Sequence, residues 1–244
     1  MDSPLSGKRV NIEQLVERRA KHWDHSREAK AVPEAVRRAG LGPYVAISRA
    51  IGTHGRTISE RVAERLGWDY YEREIVEYIA KRAQVREHMV KSLGETEREE
   101  TNNWVRSMID GHAVAETAYF RHLVAVITGV AAHGNAVILG RGAQFILPPS
   151  AGLRVRLYAP KPWRIETAMV RYEMTRAEAE KLIRDSDRAQ ARFYKDRFHK
   201  DMLDPLSYDL LVNVSQMDID GAAQSIVCAL RGKLGPEVCP GKGP

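Results

Sequence analysis

Apolar residues along the chain alternate between short continuous runs and longer stretches that repeat every three or four positions. The run YVAIS (44–48) reads as a buried strand, AVIL (136–139), LRVRLYA (153–159) and YDLLVNV (208–214) read as strands, and DYY (69–71) adds a short one. The repeating stretches predict helices over about 56–66, 72–82, 162–172, 177–200 and 220–234. Residues 84–133 hold no strand pattern and two or three helices, one starting on the acidic stretch GETEREETNN (94–103). Strands that take turns with helices predict βαβ units, and hence a parallel sheet covered on both faces. The expectation is an α/β domain with a parallel five-stranded sheet flanked by helices.

The first forty residues read differently. Asn11 and Gln14 have capping-box spacing, and Ile12, Leu15, Val16, Arg19, Ala20 and Trp23 follow at 3-and-4 spacing. This predicts an amphipathic helix to about Arg27. Pro33 opens a second short helix, which Gly40-Leu41-Gly42-Pro43 breaks. The expected division is a helical extension over 1–42, a main domain over 43–235 and a Gly- and Pro-rich tail over 236–244. The stripe Ile12, Leu15, Val16 and Trp23 needs a surface to cover it, on this chain or on a second copy. A homodimer through this helix is therefore one expectation.

Composition narrows the class. With 43% hydrophobic and 29% charged residues in 244, wholesale disorder is not expected. No apolar run approaches the ~18–20 residues that cross a bilayer. The start MDSPLSGKRVNIEQ lacks an apolar segment and a small-residue cleavage site, so a soluble, cytoplasmic chain is expected. Cys228 and Cys239 are too few for a disulfide framework or a zinc site. The net charge of +6 is uneven: residues 161–200 carry 11 basic and 7 acidic groups, whereas 201–244 carry 3 and 6. Such an excess suits nucleic acid, a membrane surface or a phosphate-bearing small molecule, and composition does not choose between them.

The first strand-to-helix junction carries the chemistry. Ala50 through Thr57 have the length of the phosphate-loop pattern G-x-x-x-x-G-K-[ST], with Ala50 at the first glycine and Arg56 at the lysine. Gly55 lets backbone N–H groups approach phosphate oxygens, and the positive end of the following helix adds attraction for an anion. Arg56 supplies a cation and Thr57 a hydroxyl for magnesium. Any glycine turn entering a helix shares the bare pattern; the strand-turn-helix order is what favours phosphate. Arg56 exchanges a compact ammonium for a planar fork. His54 is read as a side chain tolerated in the loop.

The segment VAISRAIGTHGRTISERVAERLGWDYYEREIVEYIA resembles the opening of the cytidylate kinase-like family, in which a turn ending Gly-Gly-Arg or Gly-Gly-Lys leads a helix ending Leu-Gly. Tyr70-Tyr71-Glu72 matches the Tyr-Tyr-Asp-like segment that follows. AVILGRGAQFIL (136–147) is similar to the family's Val-Ile-x-Gly-Arg strand end, and DPLSYDLLVNVSQMDIDGAAQSI (204–226) to its Asp-Pro-x-x-Tyr-Asp-Leu-x-x-Asn-Thr-Ser segment. The resemblance spans roughly 44–234 and implies a three-layer P-loop nucleotide-kinase-like fold. It implies phosphoryl transfer from ATP, with Mg²⁺, to a nucleoside monophosphate such as CMP or dCMP. On it, Gly52, Thr53, His54, Gly55, Arg56 and Thr57 wrap the ATP phosphates, and Arg141 contacts the acceptor, with Asp69 nearby. A mobile lid would supply catalytic arginines beside Arg56, drawn from Arg184, Arg188 and Arg192, which share a helix face at i, i+4, i+8.

Each assignment has a plainer counterpart. The 176–200 charge run equally describes a solvated, salt-bridged helix, Arg141 a surface ion pair, and Tyr71 a core residue. The family's lid arginine near Phe193-Tyr194 is Gln190 here. Its acidic residues on either side of Gly-Arg are Leu139 and Gly142. These departures keep a second reading open, a nucleotide-binding regulatory protein without efficient transfer. A nucleic-acid-binding module on the same fold stands third, since the basic region lacks clustered aromatics.

Overall fold

The structure is a computed structural model that describes residues 12–25, 41–110 and 118–238. The chain opens with helix α1 (Ile12–His25) and enters the sheet with β1 (Tyr44–Arg49). There follow α2 (Gly55–Leu66), β2 (Asp69–Tyr71), α3 (Arg73–Lys81), α4 (Ala83–Lys91), α5 (Glu95–Asp110) and α6 (Ala118–His133). The second half runs β3 (Ala136–Leu139), a short α7 (Ala143–Ile146), β4 (Gly152–Tyr158), α8 (Lys161–Tyr172), α9 (Arg176–Phe198), β5 (Leu210–Asn213) and α10 (Ile219–Leu234). The five strands form one sheet in the order β2-β3-β1-β4-β5, every pair parallel. Helices cover it, and the expected fold class is the one observed.

The central strands are buried, whereas the edge strand β5 exposes Leu211. Val45, Ala46, Ile47, Val137, Ile138, Val155 and Leu157 are almost wholly buried, as a sheet covered on both faces requires. The described residues of 84–133 lie mainly in three helices, with Met89, Leu123, Val124 and Ile127 in the core. The last strand is shorter than the apolar run. The Pro205–Ser207 turn and a bond from the Tyr208 hydroxyl to the Met202 carbonyl (2.9 Å) hold its expected first residue outside the ladder. Thr175 ends the gap before α9 with a capping box to Glu178, one residue earlier than the periodicity suggests.

Helix α1 docks on this chain. Val16, Arg19 and Trp23 are buried against the domain; the Trp23 indole donates to the Tyr71 hydroxyl (3.2 Å), and the Arg19 guanidinium lies 4.3 Å from the Tyr71 ring centre. Val16 and Trp23 of its apolar stripe are thus covered in cis, and Ile12 packs partly against the same core. The second short helix expected at Pro33, and Cys239 with the tail end, lie outside the described residues; Cys228 is exposed. Among the described residues no helix is long and apolar enough to cross a membrane.

Candidate functional site

The carboxyl edge of the sheet gathers the polar groups. β1 ends at Arg49, and Ala50–His54 turn back into α2. Gly52 has φ +82°, and a Cβ there would lie 2.6 Å from the Arg164 carbonyl oxygen and 2.9 Å from its Cβ. His54, the N-cap residue of α2, takes a left-handed conformation with φ 50°, where the family pattern has glycine. Thr53 donates to the Ala50 carbonyl at 2.7 Å and pins the turn. Among the described residues no side chain caps α2, and its first ordinary helical bond runs from Ile58 N to His54 O. The N–H groups of Gly55, Arg56 and Thr57 therefore face outward without helical acceptors, in the arrangement that receives anions.

Arg56 donates to Glu60 from Nε (3.0 Å) and to Glu72 from Nη2 (3.2 Å). Burial pushes the Glu72 carboxyl up, and the Arg56 charge offsets this in part. Burial, followed by the nearby Glu72, also raises the Tyr70 hydroxyl, which is buried without a hydrogen bond among the described residues. Glu72, which directly follows β2, is the acid that reaches this edge. Asp69 does not: it is in register with Ala136 at the amino ends of the parallel strands, and its N–H donates to Asn135 O. Asp69, expected from sequence near an acceptor, therefore lies at the opposite edge of the sheet from the Ala50–His54 turn.

Arg141 follows β3 in a turn with Gly140 and Gly142, all three at positive φ. Its Nη2 meets Glu77, which also bonds Arg73 (3.0 Å). Burial, then the Arg73 charge, lowers the Arg141 guanidinium to about 10. The acids expected beside Gly-Arg are absent for a packing reason. Leu139 is core, and a Cβ on Gly142 would lie 2.4 Å from Phe198 Cζ.

Helices α8 and α9 form a hairpin with a small apolar cluster of their own, Ile165, Ala168, Ala179 and Ile183, against which Ile51 of the loop packs. Buried Arg164 makes two bonds to Asp187, 2.9 Å and 2.6 Å, and reaches the Ile51 carbonyl at 3.4 Å. The α9 residue tied to the loop is therefore Asp187. Arg184, Arg188 and Arg192 are exposed, Arg184 lying 4.0 Å from Asp185. At ~100° per residue, Arg192 projects opposite buried Ile183 and Tyr194. Asp187→Ala leaves Arg164 buried without its counter-charge. An unfolding free energy lower by about 2–3 kcal/mol is expected, measured by urea denaturation.

On the other side of His54 lies a cleft of ≈ 390 Å³ between Ile58, Trp163, Val214, Met217 and Ile219. The Trp163 ring meets His54 edge-on at 5.6 Å. Burial, then the Arg171 charge, lowers the His54 pKa, so the ring is neutral at pH 7. An anion in the loop favours the protonated ring. Binding of a phosphate-bearing ligand in the loop is thus expected to take up a proton and to tighten, relative to a His54→Gly variant, as pH falls below 6.5. Calorimetric titration at several pH values checks this; parallel pH profiles in the two proteins would contradict it.

The model of the cytidylate kinase-like family matches residues 44–216. Among solved structures, an uncharacterized protein from Eubacterium ventriosum ATCC 27560 superposes with a TM-score of 0.55 at 16% identity, over 78% of this chain and 98% of that one. That likeness concerns the fold alone. Shikimate kinase from Bacteroides thetaiotaomicron gives 0.40 at 12% identity, over 75% and 94% of the two chains. Shikimate kinase from Acinetobacter baumannii in complex with shikimate gives 0.42 at 12%, over 79% and 94%. No curated protein matches the chain.

Proposed function

The chain belongs to the cytidylate kinase-like family, and from that premise we propose that it transfers the γ-phosphoryl group of ATP to a nucleoside monophosphate of the CMP or dCMP kind, or to a related small acceptor. The observation that carries this reading is the uncapped amino end of α2, with Arg56 in its first turn and Arg141 across the sheet edge. Such transfer needs positioning and charge stabilisation more than a nucleophilic side chain. The loop N–H groups and Arg56 bind the donor phosphates, and the cleft beside Trp163 takes the donor base. Arg141 and Glu72 sit on the acceptor side. Arg184 and Arg188, exposed on α9, are the lid arginines able to swing toward the phosphates.

Magnesium fits the residues present. The Thr57 hydroxyl, partly exposed in the first turn of α2, has no hydrogen bond among the described residues. No group of three or more His, Cys, Asp or Glu side chains gathers there among them, so donor phosphates and water would complete the shell. The Thr57 hydroxyl would hold the ion, which would supply charge neutralisation at the donor phosphates.

The reading is tested by thermal shift with MgATP, MgADP and a panel of monophosphates, with ADP formation measured on each hit. A rise in melting temperature with MgATP and ADP formed with a pyrimidine monophosphate are expected. Stabilisation without turnover on any acceptor would favour the regulatory alternative, and no stabilisation at all would overturn nucleotide binding.

A further inference from the structure

Arg49 is the last residue of β1, the central strand, paired in register with Leu157 of β4. Its stem runs across the start of α2. A Cβ on Gly55 would lie 2.8–2.9 Å from the Arg49 Cβ, Cγ and Cδ, so the absence of a side chain at Gly55 leaves the path for this arginine. The tip reaches the turn that carries Arg141, with Nη1 3.8 Å from the Cβ position of Gly140. Along this course Arg49 acts electrostatically on Tyr70 and Glu72, beyond the end of β2, and on Arg141, beyond the end of β3. Arg56, Arg141, Arg154 and Arg164 are each engaged by a carboxylate. Arg49 has no hydrogen bond or ion pair among the described residues.

We propose that Arg49 is a catalytic residue whose guanidinium bridges the transferring phosphoryl group between the α2 phosphate loop and the Gly140-Arg141 turn. The proposal rests on the phosphoryl-transfer reading above and adds to it the group that meets the transition state. In that step an oxygen of the acceptor phosphate forms a bond to the γ-phosphorus. The bond to the β-bridging oxygen breaks, its electron pair leaving with ADP. A dianionic acceptor has no proton to lose, so Arg49 transfers none. Its work is to face negative charge that spreads over the equatorial oxygens, where a fixed cation near a water-poor edge has its largest effect. A guanidinium carried on a β-strand end is also already in place, whereas lid arginines on α9 must move.

Arg49→Met keeps the stem that crosses Gly55 and removes the charge; Arg49→Lys keeps a charge on a shorter reach. The probes are MgADP alone and MgADP with aluminium fluoride, a mimic of the transferring group. Arg49→Met is expected to keep the melting temperature of the free protein and to hold MgADP affinity within about threefold. It should lose the additional stabilisation that aluminium fluoride gives the wild type, and kcat should fall about 10²–10³-fold. Arg49→Lys should recover part of both. Wild-type turnover in Arg49→Met, or an undiminished aluminium fluoride response, would overturn the role of Arg49 alone. A wild type that neither binds MgADP nor turns over ATP would instead overturn the transfer reading, and this proposal with it.

Discussion

Arg56→Ala is expected to abolish the melting-temperature rise caused by MgATP and to weaken donor binding by about 10²–10³-fold. Arg56 is the cation in the first turn of α2, paired with Glu60 at 3.0 Å and Glu72 at 3.2 Å. Its removal has two effects of the same sign. The donor phosphates lose a charge-assisted partner, and Glu72 is left facing them without the guanidinium that partly offsets its burial. Stability of the free protein should change by less than about 1 kcal/mol, because partly exposed ion pairs contribute little. That separation of binding from folding marks the assignment. Arg56→Lys restores the charge without the fork and should recover part of the affinity, since Glu60 and Glu72 are held from two different guanidinium nitrogens. Calorimetric titration with MgATP measures all three proteins, and an unchanged affinity in Arg56→Ala would remove the phosphate-loop assignment.

The second large effect comes from reinstating an acid that the family motif leads one to expect. Gly142→Asp should lower the unfolding free energy by about 2–4 kcal/mol and should not improve turnover. Gly142 has φ +75°, where an L side chain is strained, and its Cβ would fall 2.4–2.5 Å from two atoms of the Phe198 ring. Phe198 is itself packed against Phe120 and Phe145, so the ring has nowhere to withdraw. The missing carboxylate is therefore a consequence of aromatic packing from the end of α9. Urea denaturation of the purified variant checks the figure. A Gly142→Asp protein as stable as the wild type would show that Phe198 does not fill this space.

Periodicity and strand order were enough to read the sheet, because a doubly covered parallel strand is apolar along its whole length and little else is. The N-terminal helix was equally legible in its stripe, though not in its docking partner, which depends on Trp23 meeting Tyr71 forty-eight positions away. The strand, glycine turn and helix from Tyr44 to Leu66 were legible since their parts are consecutive. Pairings between distant segments were not. Arg164 and Asp187 sit on different helices, and the tie they make to Ile51 exists only once α8 and α9 fold back together. Arg49 was passed over because its place depends on two glycines, Gly55 and Gly140, that converge only in space. The error at Asp69 was avoidable: the first residue of a parallel strand lies at the edge away from the loops. Glu72, already in view in the Tyr-Tyr-Glu match, follows the strand and so reaches the correct edge.

The spacing of Arg184, Arg188 and Arg192 illustrates the same limit from the other side. Positions four apart do share a flank, but each step of four also turns the side chain by ~40°, so over eight residues the series drifts away from the inward face. Ile183, Asp187 and Tyr194 occupy that face, and Asp187 is the residue through which α9 holds the loop.

The central claim, transfer of the γ-phosphoryl group to a nucleoside monophosphate, is tested most directly by incubating the protein with γ-labelled ATP, Mg²⁺ and CMP or dCMP and following the label. The account predicts label on a nucleoside diphosphate, in amounts equal to the ADP formed, and its loss in Arg56→Ala. Label that remains on ATP across the full monophosphate panel, with a wild type that still binds MgATP, would contradict it.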